Sequence, residues 1–166
     1  MSTTTGEAKV AEHTAVRKTF TVAAPREIAF RVFTEKMTSW WPLATHHIGK
    51  ANAVAAVIEP RVGGRWFERG EDGSETPWGK VLAWEPPARV VLAWQIRADW
   101  QCDPDFVTEV EAAFTATGPA TTRVDFEHRN LERFGAHAAE IVATFDSDGG
   151  WTGLLEAFRK AAETQA

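Results

Sequence analysis

The chain has 166 residues, of which 44% are hydrophobic and 25% are charged, and its formal net charge at pH 7 is −5. This length and composition are typical of one globular domain that builds its own core. The negative net charge and the absence of a basic run argue against nucleic acid as a partner, because affinity for phosphates comes from clustered Lys and Arg.

Cysteine content and hydrophobic runs indicate the compartment. Cys102 is the single cysteine, so an intramolecular disulfide is excluded. No basic group or His adjoins this thiol, and we expect it to be unreactive. Residues 1–14 are small and polar and predict a disordered tail, not a signal peptide. No apolar run approaches the roughly 20 residues that span a bilayer. We therefore expect a cytoplasmic protein without membrane insertion, whose domain covers residues 15–166.

The aromatic residues are unusual, with eight Trp, ten Phe and no Tyr. Such large rigid side chains either fill a core or line a cavity. Both interpretations are open for each of them at this point.

The first third of the chain predicts a strand, a helix and a loop. Residues 15–22 alternate apolar and polar side chains, as in a half-buried strand. Pro25 suits the first turn of a helix, which fades over residues 37–41 and stops at Pro42. The apolar stripe of this helix is Ile28, Ala29, Val32 and Phe33.

The loop of residues 43–52 contains the adjacent pair His46 and His47. Neighbouring side chains point in different directions and no third ligand lies nearby, so we predict no metal site. The alternatives are that this pair lines the mouth of a cavity or is simply solvated.

The middle of the chain predicts consecutive antiparallel strands. They cover residues 53–59, a hairpin from 62–68 through a turn at 70–74 to Trp84, and then 89–96, 106–117 and 122–128. Apolar side chains share one face of the last three strands, at Val90, Leu92, Trp94, Val110, Ala112, Phe114, Val124, Phe126 and His128. Trp78 does not fit the apolar face of its own strand, because strand alternation places its side chain on the same face as Lys80 and not Val81.

The C-terminal part predicts an irregular or short helical connection over residues 131–145 and then a long amphipathic helix. Ser147 or Asp148 is expected to cap this helix. Its apolar face is Trp151, Leu154, Leu155, Phe158, Ala161 and Ala162. The order of elements predicts an α+β fold, in which the last helix covers the apolar face of the sheet.

Several short motifs carry a family resemblance that extends over nearly everything after Ala15. They are Trp40-Trp41-Pro42, Gly63-Gly64-Arg65-Trp66, Glu85-Pro86-Pro87, Thr122 to His128, and Gly150-Trp151 before the last helix. The chain resembles the START-like helix-grip (SRPBCC) superfamily, in the branch related to the C-terminal domain of the activator of Hsp90 ATPase. The resemblance implies a curved antiparallel sheet of about six or seven strands wrapped around a long C-terminal helix. Relatives include ligand binders, cyclases and co-chaperone domains, so it implies no single function.

A narrower similarity is to the self-sacrifice resistance proteins of enediyne antibiotic producers. It is carried by Trp40-Trp41-Pro42, Gly63-Gly64-Arg65-Trp66, Asp103-Pro104-Asp105 and Thr122 to Asp125. In those proteins the resemblance implies that the toxin cleaves the backbone at a glycine shortly before the Asp-Pro-Asp motif. Here Trp100 stands at that place, which argues against cleavage at the same point but leaves binding open.

Three functional hypotheses follow. The first, which we favour, is a binding protein for a hydrophobic or polycyclic small molecule between sheet and helix, serving sequestration or resistance. The expected ligand-binding residues are Trp41, Trp66, Trp94, Phe114, Phe126, His128, Trp151 and Phe158. Trp78 is open to the same interpretation.

The second hypothesis is a cofactor-independent cyclase in which His128 is the general acid or base, since its strand phase takes it to the apolar side. Glu68 and Glu140 are its candidate companions. A hydrogen-bonded structural role for His128 is the alternative. The third hypothesis is an interaction module of the Hsp90 activator type. We expect no cofactor, no metal, and a monomer or homodimer.

Overall fold

The computed structural model describes residues 14–166, and their backbone is organised by one antiparallel sheet. The strands follow the order β1-β7-β6-β5-β4-β3-β2, so the first strand pairs with the last and all other neighbours are consecutive in the chain. Their bounds are β1 (Val16–Val22), β2 (Ala53–Ile58), β3 (Arg65–Gly70), β4 (Glu75–Glu85), β5 (Arg89–Trp94), β6 (Thr108–Gly118) and β7 (Thr121–Arg129).

Three α-helices pack with the sheet. They are α1 (Arg26–Thr34), α2 (Ala138–Phe145) and α3 (Trp151–Thr164), and short 3-10 helices cover Met37–Ser39 and Leu131–His137. The predicted α+β helix-grip architecture is confirmed. None of the helices within residues 14–166 is long and apolar enough to cross a bilayer. The predicted tail, residues 1–14, falls outside the described residues except for Thr14.

The predicted inward phases of β5, β6 and β7 are confirmed, since all nine side chains named for them are buried. Antiparallel pairing places Val110 of β6 opposite His128 of β7, and Val16 of β1 lies opposite the same histidine. The inner face therefore continues across three strands without a break.

A bulge explains why Trp78 breaks the apolar phase of β4. Trp66 pairs with Gly79 and Phe67 pairs with Pro77, so Trp78 is an extra residue between these two pairs. A bulge of this kind re-aims side chains. Trp78 and Val81 are consequently both buried, although three positions separate them.

Phe158 anchors α3 against the remaining structure. Its fully buried ring lies 5.3 Å from that of Phe33, 5.6 Å from that of Trp40 and 6.4 Å from that of Phe114, measured between ring centroids. The face of α3 was predicted correctly, but its cap was not. Gly150 occupies the N-cap position without a side-chain hydrogen bond, and Ser147 and Asp148 lie before it.

We predict that Phe158→Ala lowers the free energy of unfolding by about 3–5 kcal/mol, because it removes a large side chain and leaves a cavity. Urea unfolding measures this difference. The control is Val62→Ala at a side chain that is 65% exposed, for which a change within about 0.5 kcal/mol is expected. Equal losses in the two variants would contradict the anchoring role.

Candidate functional site

A cavity of about 390 Å³ opens where the N-terminal end of α3 meets the sheet and the loop of residues 43–52. This volume lies within the range of small-molecule sites. Its lining comes from four parts of the chain: Trp41, Thr45, His46, His47, Ile48; Trp78, Trp94, Ile96, Trp100; Thr144, Phe145; and Gly149, Gly150, Trp151, Leu154.

Four buried tryptophans form the inner wall. Trp41 lies 5.0 Å from Trp78 and 6.0 Å from Trp151, and Trp151 lies 6.0 Å from Trp94, measured between ring centroids. Offset and edge-to-face arrangements at such distances are those that aromatic rings prefer.

Each of these four indoles donates its N–H to a protein acceptor. Trp41 donates to the His46 carbonyl at 2.9 Å, and Trp94 to the Ile96 carbonyl at 3.1 Å. Trp78 donates to Glu68 Oε1 at 2.8 Å, and Trp151 to His128 Nδ1 at 3.1 Å. The indole donors are thus already used, and these rings offer the cavity aromatic carbon surface.

Of the eight residues predicted to bind ligand, three line the cavity and five lie in the core. Trp41, Trp94 and Trp151 line the cavity, and so does Trp78. The other five are buried in the core and are not part of the lining: Trp66, Phe114, Phe126, His128 and Phe158.

The core surrounds His128 completely and satisfies both of its ring nitrogens. Nδ1 accepts from Trp151, and since indole is only a donor, the ring proton must reside on Nε2. Nε2 lies 2.8 Å from Thr108 Oγ1, which in turn lies 3.3 Å from the Trp94 carbonyl. The ring stacks on Phe145 at 5.1 Å. This arrangement suits a neutral structural imidazole and leaves it no access to the cavity.

Glu68 and Glu140 do not accompany His128. The Glu68 carboxylate binds Trp78 and the backbone of the 43–52 loop, as described below. Glu140 lies on α2 with its side chain 82% exposed.

Burial lowers the pKa of His128 from 6.5 to about 3. Between these values the unfolded chain binds a proton that the native state does not, so stability falls as pH drops from 6.5 towards 3. We predict that this residue contributes a slope of about 1.4 kcal/mol per pH unit.

The measurement is urea unfolding of the wild type and His128→Gln between about pH 5 and pH 7, where few carboxylates titrate. The wild type should show the steeper decline on acidification. The other histidines are present in both proteins, so identical slopes would contradict the assignment.

His46 ties the 43–52 loop to the start of α3. Its Nε2 donates to the Gly149 carbonyl at 2.6 Å, and its Nδ1 lies 2.7 Å from Thr45 Oγ1. Both ring nitrogens therefore have protein partners. The interpretation of the histidine pair as part of a cavity mouth agrees with this geometry.

His47 lies against the buried carboxylate of Glu68. Its Nδ1 is 3.9 Å from Glu68 Oε2 and 3.1 Å from the Gly49 carbonyl, and the side chains are 24% and 2% exposed respectively. Glu68 also accepts the backbone N–H groups of Ile48 at 2.6 Å and Gly49 at 3.1 Å. The Glu68 carboxylate therefore contacts the 43–52 loop, Trp78 and His47.

Within residues 14–166, no group of three or more His, Cys, Asp or Glu residues is arranged to hold a metal ion.

Gly49 permits this close approach of loop and carboxylate. A Cβ at this position would lie 2.7 Å from Thr76 Oγ1 and 2.9 Å from Glu68 Oε2. We predict that Gly49→Ala displaces the loop and weakens the binding of an aromatic probe molecule in the cavity at least severalfold, while the free energy of unfolding falls by about 1–2 kcal/mol. Titration calorimetry and urea unfolding measure the two effects.

The control is Gly63→Ala, which has no atom within 4 Å of the added Cβ but has a φ of +81°. It should cost about 1 kcal/mol through backbone strain and leave binding unchanged. A Gly49→Ala protein with wild-type affinity would show that the loop position is immaterial.

Trp100 forms the outer wall and was noticed in the sequence only through the family similarity. Its φ is +62°, its side chain is 49% exposed, and its ring lies 6.4 Å from that of Phe145. A positive φ is the conformation that glycine adopts most easily. Nearby, burial and Asp103 raise the pKa of the Cys102 thiol, which disfavours the reactive thiolate.

Sequence reasoning did not identify the remaining residues as part of the lining: Thr45, Ile48, Ile96, Thr144, Phe145, Gly149, Gly150 and Leu154. Each belongs to a segment that was predicted as a loop, a strand end or a helix. Nothing in local periodicity marks which of them face a cavity, since all come together through long-range packing.

Comparison with known proteins identifies the family. The sequence model of the family described as activator of Hsp90 ATPase homolog 1-like protein matches residues 23–163. The chain belongs to this family. No curated protein matches the sequence.

Two solved structures are more than 30% identical to this chain in sequence. One is the anthrahydroquino-γ-pyrone synthase Txn09 in complex with SUM, 37% identical with a TM-score of 0.62, covering 89% of this chain and 96% of the synthase. The other is the self-sacrificing resistance protein CalC from Micromonospora echinospora, 32% identical with a TM-score of 0.70, covering 93% and 97%. A protein from Mesorhizobium loti, 18% identical with a TM-score of 0.66 over 92% and 98%, shows the fold alone.

The similarity to the resistance proteins is thus confirmed as well. The chain has the fold of a ligand-binding helix-grip domain, with a synthase and a resistance protein among its structural neighbours.

Proposed function

We propose that this protein binds a flat polycyclic aromatic molecule of polyketide type in the tryptophan-walled cavity. The observation that carries the proposal is the inner wall, where Trp41, Trp78, Trp94 and Trp151 turn aromatic surface to a space of about 390 Å³ and keep their N–H groups bonded to protein. Such a wall favours stacking with an apolar ring system.

The two relatives support different parts of the proposal, one the ligand class and the other a role in resistance. Txn09 is named as a synthase of an anthrahydroquino-γ-pyrone, which is a fused aromatic ring system, and CalC is named as a resistance protein. Sequestration of a toxic polycyclic molecule would serve resistance without chemistry.

Catalysis on such a molecule is the second candidate, and the 37% identity to a synthase favours it. Binding and catalysis share the cavity and differ in whether the molecule is recovered unchanged. The family description also names an Hsp90 activator, but the proposal rests on the cavity, since a co-chaperone would act through its outer surface.

We predict that β-hydroxyanthraquinone or its O-methyl ether raises the melting temperature. At about 100 times the dissociation constant, the gain is about 2.7 kcal/mol, or roughly 5–10 °C for a domain of this size. Thr144→Trp should abolish the shift, because Thr144 is an exposed residue of α2 that borders the cavity.

Ala143→Trp is the matched control, because Ala143 is also an exposed residue of α2 and does not belong to the lining. It should retain the wild-type shift. A wild type without a shift for either compound, or a shift that survives Thr144→Trp, would overturn the proposal.

A further inference from the structure

Three described histidines lie in or next to the cavity wall, and their ring nitrogens differ in availability. His128 is fully buried with both nitrogens bonded in the core. His46 has Thr45 on one nitrogen and the Gly149 carbonyl on the other. His47 also lines the cavity, but its only ring hydrogen bond within residues 14–166 is from Nδ1 to the Gly49 carbonyl. Nε2 of His47 therefore has no hydrogen-bond partner among the described residues.

The Gly49 carbonyl also fixes the tautomer of His47. A carbonyl oxygen only accepts, so Nδ1 carries the proton and Nε2 of the neutral ring carries a lone pair. This lone pair is an acceptor in a wall whose four inner indoles have no donor or acceptor left to offer. The exposed hydroxyl of Thr144 lies at the rim and cannot act as a base of comparable strength.

The Glu68 carboxylate lies beside the Nδ1 side of this histidine. The carboxylate is 3.9 Å from Nδ1, and the Glu68 side chain is only 2% exposed, so solvent screens the pair weakly. Donors from Ile48, Gly49 and Trp78 hold the carboxylate in place. A carboxylate behind a histidine, on the side away from the reacting atom, is the arrangement that stabilises an imidazolium when it forms.

We propose that His47 accepts a hydrogen bond, and then the proton, from a phenolic hydroxyl of the bound polycyclic molecule, and that Glu68 stabilises the resulting imidazolium. The inference rests on the proposed function and adds the ligand class, a phenol. In the transfer the phenolic O–H bond breaks with its electron pair left on oxygen, and an N–H bond forms at Nε2. The products are a phenolate and an imidazolium, so charge and atoms balance without a co-reactant.

The test compares β-hydroxyanthraquinone with its O-methyl ether, which has the same ring system and no acidic proton. Wild-type protein should bind the hydroxyl compound about five- to tenfold more tightly, the effect of one buried hydrogen bond. Its bound absorption spectrum should show the red-shifted phenolate band. The methyl ether, which cannot ionise, is the spectral baseline.

Two variants at position 47 separate hydrogen bonding from proton transfer. His47→Leu should reduce the preference for the hydroxyl compound to within about twofold, since no acceptor remains. His47→Gln retains an acceptor and should keep part of the preference, but the phenolate band should vanish because an amide is not a base. Circular dichroism and the melting temperature establish that both variants fold.

His137→Leu is the control, because His137 is an exposed histidine that does not line this cavity. It should keep both the preference and the band. Failure of both compounds to bind would overturn the proposed function. Equal binding of both compounds, or a phenolate band that persists in His47→Gln, would overturn the role of His47 and leave the proposed function intact.

Discussion

The hydrogen bond from the Trp151 indole to His128 is the interaction on which the geometry of the cavity depends. A buried imidazole is costly unless its polar atoms are paired. Here Trp151 satisfies Nδ1, and Thr108 satisfies Nε2 and contacts the Trp94 carbonyl in turn. Because the ring of Trp151 is held this way, the first turn of α3 is fixed against β6 and β7, and Trp151 and Trp94 stand as one wall.

This network also changes the interpretation of His128, the histidine that strand alternation singles out as a candidate general acid or base. Strand alternation correctly places His128 on the inner face, and the inner face is where a cavity is expected. Alternation does not tell whether a position on that face is open or covered. Phe145 and Trp151 cover this one, so the residue positions the wall and does not reach the cavity.

The architecture follows from sequence because it depends on local periodicity. The phases of β5, β6 and β7, the hairpin turn and the apolar face of α3 are each set by side chains two to four positions apart, and all were predicted. The site depends on contacts that periodicity does not encode. The bulge at Trp78 reverses a phase, and the difference between His46 and His47 arises from partners such as Gly149, more than a hundred positions away in the chain.

Trp100 connects the fold to the proposed function. The similarity to self-sacrificing resistance proteins implies a glycine at this place, and the backbone here has the positive φ that glycine favours, +62°. Keeping a bulky residue in that conformation costs of the order of 1–3 kcal/mol, so the side chain must be compensated by its contacts. Trp100 lines the cavity and lies beside Phe145. The resemblance implies a cleavable glycine at this place, and this chain has an aromatic side chain of the cavity wall there, which supports the proposed binding of a polycyclic molecule over cleavage by it.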